Sequence, residues 1–239
     1  MNIKEQLQSA IDYCNAKLSA KGVAEQATSV VDIGNKIESI QSEDTGVGSR
    51  QWWLDVCSQK KGFGGMFEGC PITTIPLIDT SKAISFNSMF TNCKSLITIP
   101  LIDTSKANGF NAMFYGCESL TTIPQIDTSK GTNFGNMFYN CRALTTIPQI
   151  DVSKATNVSS IFSGCISLEN ITFVAECIKL SISFVHSSLL TDESIQSIID
   201  GLADLTGQTA QTITFHSTVK NKLTEEQIAS ATSKNWNIA

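Results

Sequence analysis

Residues 137–154 read Met-Phe-Tyr-Asn-Cys-Arg-Ala-Leu-Thr-Thr-Ile-Pro-Gln-Ile-Asp-Val-Ser-Lys, and the same order of residue types recurs along the chain. The recurrent cysteines are Cys70, Cys93, Cys117, Cys141 and Cys165, and the recurrent prolines are Pro76, Pro100, Pro124 and Pro148. These positions give a period of 24 residues with one step of 23. A period of this length predicts a solenoid, in which each unit buries its apolar face against the next.

Equivalent apolar side chains of successive units are therefore expected to lie over one another in a continuous core. One file contains Phe67, Phe90, Phe114, Phe138 and Phe162, and a second contains Phe86, Phe110, Phe134 and Val158. Leucine and isoleucine files include Leu96, Leu120, Leu144 and Leu168, then Ile75, Ile99, Ile123, Ile147 and Ile171, then Ile78, Ile102, Ile126 and Ile150. No single unit could bury these residues alone.

The five recurrent cysteines are expected to form a buried file of free thiols. Equivalent residues in stacked parallel strands lie about 4.8 Å apart, beyond the roughly 3.5–4.5 Å between Cβ atoms that a disulfide requires. A straight file also cannot surround a tetrahedral zinc ion. For the remaining cysteines, Cys14, Cys57 and Cys177, core packing is the simplest interpretation.

Each unit is expected to contain a short strand centred on Thr-Ile-Pro, which ends at the proline because proline has no N–H to donate. The following Asp-Thr-Ser-Lys is typical of a turn, since Asp and Ser side chains bind nearby backbone N–H groups. Alternating Asp and Lys files should soften the repulsion between like charges. The segment that leads to Met-Phe is expected to form a short helical or 3₁₀ turn.

Four segments follow from these patterns. Residues 1–41 are a helical segment with two short amphipathic helices, and residues 42–62 are a linker and N-terminal cap that contains Trp52 and Trp53. Residues 63–172 are the repeats, and residues 173–239 are irregular repeats and a C-terminal cap.

The C-terminal segment is predicted to alternate helices and strands. Strands are expected at residues 171–174 and 180–185, and a helix capped by Thr191 should end near Gly207. Gln211–Phe215 alternates as a strand. Thr224 opens a capping box for a last helix through about Ser233, and residues 236–238 are expected to form a final strand.

The recurring Met-Phe-x-x-Cys-x-x-Leu-x-x-Ile-Pro, followed by Asp-Thr-Ser-Lys, resembles the BspA-type leucine-rich repeats of bacterial surface proteins. Residues 189–239 are similar to tails on such arrays in gut Firmicutes and their prophages. The resemblance implies an α/β fold: a right-handed leucine-rich-repeat solenoid with short parallel strands, used to bind proteins or glycans without catalysis. Surface members of the family normally carry an export signal and a wall anchor, and neither is visible in this sequence.

Composition excludes several classes of function. A net charge of -5 argues against nucleic-acid binding, which requires clustered Lys and Arg. No apolar run approaches the roughly 18 residues of a membrane span. His186 and His216 are the only histidines, and neither lies in a zinc or nucleophile motif. We therefore expect no enzyme, no catalytic residue, no metal and no cofactor.

The expected ligand-contact face comprises Thr74, Thr98, Thr122 and Thr146 together with Leu77, Leu101, Gln125 and Gln149, which change from apolar to polar along the array. The competing interpretation is that threonine is a good strand residue and that these positions are ordinary surface.

The leading hypothesis is a binding or adhesion module for a protein or glycan partner whose identity is unknown. The alternative is a structural component of a phage or prophage tail that forms a homo-oligomer through residues 1–40. The first hypothesis places the chain on a bacterial cell surface and the second places it on a phage particle.

Overall fold

The computed structural model describes residues 62–75 and 78–239. It shows a mixed helix and strand fold with short parallel strands. The strands in this part are β1 (Thr146–Ile150), β2 (Asn170–Phe173), β3 (Ile182–Phe184), β4 (Gln211–Phe215) and β5 (Trp236–Ile238), and the helices are α1 (Asp192–Gly201), α2 (Ser217–Lys220) and α3 (Glu225–Ser233). Strand β1 pairs with β2, and β3, β4 and β5 form a second parallel sheet in that order.

Successive repeats lie parallel to one another, with residues one repeat apart in register. One line of isolated parallel bridges joins Gly62, Ser85, Gly109, Asn133 and Asn157. Backbone N–H groups follow the same spacing: Phe86 donates to the carbonyl of Gly109 and Phe90 to that of Met113, both at 2.9 Å. The repeat in the sequence is thus also a repeat in space.

Files of phenylalanine rings run through the core. The rings of Phe67, Phe90, Phe114, Phe138 and Phe162 have successive centroid distances of 5.5, 5.5, 5.6 and 6.0 Å and are nearly parallel. These distances lie in the range of offset stacking. Phe63, Phe86, Phe110 and Phe134 form a second file at 5.7, 6.2 and 5.3 Å. The leucines and isoleucines of the repeat are buried beside them, so the core continues from unit to unit.

The segment that leads to Met-Phe is not helical, which corrects the expected helical or 3₁₀ turn. Some N–H groups close four-residue turns, as from Met89 to the carbonyl of Phe86 at 3.1 Å. The N–H groups of the residues in between donate to carbonyls of the next unit. They therefore cannot form the hydrogen bonds of a helix within their own unit. Two residues per unit take the left-handed conformation, as Ser88 (φ 58°) and Asn92 (φ 59°) do, and this geometry interrupts a helix.

One of these left-handed positions alternates between glycine and asparagine. It is occupied in order by Gly69, Asn92, Gly116, Asn140 and Gly164, all with positive φ. A Cβ atom at Gly116 would lie 2.6 Å from Oδ1 of Asn92 in the preceding unit. The asparagine side chain therefore occupies the space that the following glycine leaves open.

Gly116→Ala is expected to destabilise the fold by roughly 1–2 kcal/mol through its left-handed φ alone, and further through displacement of Asn92. Adding Asn92→Gly removes the obstructing side chain, so the double variant should lose less than the sum of the single losses. Urea unfolding of the four proteins measures this coupling. Strict additivity would contradict the packing of Asn92 over Gly116.

Ala112 occupies the other left-handed position, with φ 52°, where the first unit has Gly65. Ala112→Gly should stabilise the protein by up to about 1 kcal/mol, because relief of left-handed strain exceeds the entropic cost of glycine. Ala143→Gly is the matched control, since Ala143 does not have a positive φ and its substitution should only destabilise. A lower melting temperature for Ala112→Gly would contradict this prediction.

Strand β1 corrects the expectation that each strand ends at its proline. It continues through Pro148 to Ile150. Its pairing with β2 shifts between Ile147, opposite Ile171, and Ile150, opposite Phe173. A proline cannot donate to the ladder, and the extra residue in β1 is accommodated as a bulge. In the preceding unit the same segment forms only one bridge, Thr122 to Thr146.

Four recurrent cysteines, Cys93, Cys117, Cys141 and Cys165, are free and completely buried. Each thiol lies against the carbonyl of a phenylalanine in the preceding unit, and the Sγ–O distances are 2.8, 3.1, 3.0 and 3.1 Å in that order. The expectation of a free thiol is wrong for Cys70, which is disulfide-bonded. The other described cysteines are free, so Cys70 forms no disulfide with another member of the file.

Most predicted elements of the C-terminal segment are confirmed. Thr191 caps α1, β4 and β5 have the expected bounds, and Thr224 with Gln227 forms the capping box of α3. The predicted end of α1 near Gly207 is wrong: the helix ends at Gly201, because Leu202 is extended and forms a parallel bridge with Ile178. The short helix α2 was not predicted.

Several predictions lie outside the described residues. These are the helices and the oligomerisation expected in residues 1–41, the linker and cap with Trp52 and Trp53, the packing of Cys14 and Cys57, and the position of Leu77.

Candidate functional site

An open groove of about 780 Å³ crosses the Ile-Asp-Thr segments of consecutive repeats. The same positions of successive units line the groove, so its lining repeats with the period of the array. The lining residues that recur are Ile78, Ile102 and Ile126, Asp79, Asp103, Asp127 and Asp151, and Thr80, Thr104 and Thr128; Leu101, Gln125 and Gln149 complete it together with Ser129 and Val174.

Buried residues lie beneath this groove. Thr80, Thr104 and Thr128 are only 2%, 2% and 3% exposed. The hydroxyl of Thr80 donates to the carbonyl of Asp103 at 2.8 Å, and that of Thr104 to the carbonyl of Asp127 at 2.8 Å. Each buried hydroxyl thus has a partner in the next unit, as buried polar groups require. These bonds connect the turns of adjacent units along the groove.

A file of aspartates lies along the groove. Oδ1 of Asp103 accepts a hydrogen bond from the backbone N–H of Ser105 at 2.9 Å, and the turns at Asp79, Asp127 and Asp151 have the same bond. Hydrogen bonds from the side chain and backbone of Ser105 lower the pKa of Asp103. The corresponding bonds from Ser129 and Ser81 lower the pKa of Asp127 and of Asp79. These three carboxylates are therefore ionised at neutral pH.

The lysines of the repeat do not line the groove. Lys106 is exposed, and its Nζ donates to the carbonyl of Ser81 at 2.8 Å. The salt bridge found among the described residues joins Lys94 and Glu118 at 3.0 Å, and Asp103, Asp127 and Asp151 take part in none. Beyond the hydrogen bonds from the serines, attraction to Lys82, Lys106 and Lys130 also lowers the pKa of Asp79, Asp103 and Asp127. The lysines therefore partly offset the negative charge of the aspartate file from outside the groove.

The predicted ligand-contact face divides into two parts. Leu101, Gln125 and Gln149 are exposed and line the groove, and Leu101 is 64% exposed, the highest value among the exposed large apolar side chains of the described residues. Nε2 of Gln125 donates to the carbonyl of Gln149 at 2.8 Å. The predicted threonines do not line the groove: Thr74, Thr98 and Thr122 are exposed outside it and Thr146 is half-buried.

Sequence reasoning missed the contribution of the Ile-Asp-Thr segment to this surface. The aspartates were interpreted only as turn residues, and the buried threonines were not considered. A signal was available, because the threonine recurs directly after each aspartate and is replaced by Val152 only in the last regular unit.

Two features are absent from the described residues. No group of His, Cys, Asp and Glu side chains in this part is arranged to hold a metal ion. None of its helices is both long enough and apolar enough to cross a membrane.

Comparison with known proteins relates the repeats to a protein family. The search of curated proteins and the search of solved structures found no match. Residues 61–173 match the model of a family described as "Mycoplasma protein of unknown function, DUF285", and this match fits a BspA-type repeat protein in broad terms.

Proposed function

We propose that this chain is a non-enzymatic binding or adhesion module, built as a right-handed leucine-rich-repeat solenoid that contacts a protein or glycan partner through the groove. The parallel stacking of 24-residue units and the stacked phenylalanine files support the architecture. A solenoid of this kind is a rigid frame, since every unit is held by both neighbours.

The observation that carries the binding role is the overlap between the groove and the predicted contact positions. Leu101, Gln125 and Gln149 were expected on the contact face from the sequence, and all three line the groove. Exposed apolar side chains in a concave surface are typical of interaction sites. Hydrogen bonds of the buried threonines connect the units that carry these side chains. Binding would therefore not require the surface to be reorganised.

The protonation states favour binding over catalysis. An acid–base pair requires two carboxyl groups in different environments, whereas Asp79, Asp103 and Asp127 all have a lowered pKa from the same turn. Burial raises the pKa of Cys93 and of Cys165 to about 12, which disfavours the nucleophilic thiolate.

Leu101→Asp tests the proposed function. The exposed side chain supports no core packing, so the variant should fold normally while binding falls at least about tenfold, as for loss of an apolar interface anchor. The measurement probes immobilised glycans and extracellular proteins with the full chain and with the variant. Ile84→Asp is the matched control, because Ile84 is 49% exposed and lies outside the groove. Absence of any binder for the folded chain, or binders that Leu101→Asp retains, would contradict the proposal.

A further inference from the structure

We propose that the groove binds an extended cationic segment of a partner protein, with basic side chains beside the aspartate file and apolar side chains against Leu101. This inference rests on the proposed function and specifies the chemistry of the partner.

Charge is the first argument. Four aspartates, Asp79, Asp103, Asp127 and Asp151, line the groove, and no Lys, Arg or His is among the described residues that line it. Repulsion from Asp103 acts on Asp79 and on Asp127, and the attraction of Lys82 and Lys130 to these two carboxylates is larger but comes from outside the groove. A ligand with positive charges in a row relieves this repulsion, whereas an anionic segment would increase it.

The apolar part of the lining is the second argument. Leu101 stands exposed in the groove and the isoleucine file lies beneath it. A small cation or a polyamine would leave the exposed Leu101 side chain in contact with water. A polypeptide presents apolar and basic side chains from one backbone, so it can cover Leu101 and reach the carboxylates together.

The spacing of the units is the third argument. A polyproline II segment rises about 3.1 Å per residue and has three residues per turn, so every third side chain is on the same face after about 9.3 Å. Two rungs of the array span about 9.6 Å. A basic residue at every third position of an extended segment therefore stays in register with alternate aspartates.

The test measures binding of a fluorescent peptide, Lys-Pro-Leu repeated three times, to the full chain by anisotropy. Its proline content holds it extended. We expect saturable binding that weakens about tenfold or more in Asp103→Asn/Asp127→Asn and that decreases with added salt. Asparagine keeps an oxygen for the N–H groups of Ser105 and Ser129, so the turns and the fold should persist, which circular dichroism verifies.

Asp200→Asn/Asp204→Asn is the matched control. It removes the same charge outside the groove, and Asp204 has the same turn, because its Oδ1 accepts from the N–H of Thr206 at 2.9 Å. This variant should bind the peptide within about twofold of the unmodified chain, since distant exposed charges are screened.

Three results would overturn the inference: no binding of the Lys-Pro-Leu peptide to the folded chain, equal binding of a Glu-Pro-Leu peptide, or full affinity in Asp103→Asn/Asp127→Asn. Failure of this inference does not imply failure of the proposed function. If the peptide does not bind but glycans or proteins are captured by the chain and lost in Leu101→Asp, the groove is a binding site for a different partner class.

Discussion

Phe114→Ala is expected to lower the free energy of unfolding by roughly 3–5 kcal/mol. Phe114 is completely buried, and its ring stacks between Phe90 at 5.5 Å and Phe138 at 5.6 Å. Truncation removes contacts with both neighbouring units and leaves a cavity that the files above and below cannot fill without shifting. Chemical unfolding monitored by circular dichroism measures the loss.

Lys106→Ala is the control for this prediction. Its side chain is exposed and donates one hydrogen bond, to the carbonyl of Ser81, so its removal should cost no more than about 1 kcal/mol. The two residues lie in the same part of the array. The difference between the two losses of unfolding free energy therefore measures the effect of burial. Similar unfolding free energies for the two variants would mean that inside and outside are wrongly assigned.

Alkaline pH is expected to destabilise the protein strongly. Burial raises the pKa of Cys93 and Cys165 to about 12, and it raises the pKa of Cys117 and Cys141 in the same direction. The unfolded chain loses these protons near pH 9, while the folded chain keeps them. The contribution of the protonated thiols to the free energy of unfolding is therefore fully present below pH 9 and is lost as the pH rises toward 12. Each thiol contributes a slope of up to about 1.4 kcal/mol per pH unit.

Unfolding titrations in urea at a series of pH values from 8 to about 11 measure this slope, with reductant present. Cys93→Ala/Cys165→Ala removes two of the titrating thiols, so its stability should fall less steeply with pH even if it is lower at pH 8. All other side chains are the same in both proteins, so their effects cancel in the comparison. Identical slopes for the unmodified chain and the variant would show that the thiols are not held protonated by the fold.

The apolar files and the C-terminal elements are the parts of the fold that follow most directly from sequence. Identical residues at a fixed period are expected to lie over one another, whatever the conformation of the backbone between them. The stacking of Phe114 with its equivalents can therefore be predicted without knowing the turn. Thr191 and Thr224 are likewise local signals, since a cap and its helix are close in the chain.

The left-handed turn could not be predicted from residue type. Its second position shows glycine and asparagine, which favour positive φ, but its first position carries Ala112 and Ser88, which do not. The stacked neighbours impose this conformation, because alternate N–H groups find their acceptors in the next unit. Pairing between units decides the backbone here, against local preference.

The groove was only partly predictable for a related reason. Period alone indicates that Leu101, Gln125 and Gln149 share one side, and it also places the aspartates in a file. It does not show that Lys106 lies outside the groove with its Nζ bound to the carbonyl of Ser81. The charge of the groove depends on that placement, which is a property of the assembled turns.

Sulfur anomalous scattering from crystals of the full chain tests the central claim, that equivalent residues lie over one another from unit to unit. The peaks for Cys93, Cys117, Cys141 and Cys165 should form one line at roughly 4.8 Å intervals, and those for Met89, Met113 and Met137 should form a second line beside it. Cysteine peaks scattered through the molecule, or spaced without regard to the repeat, would contradict it.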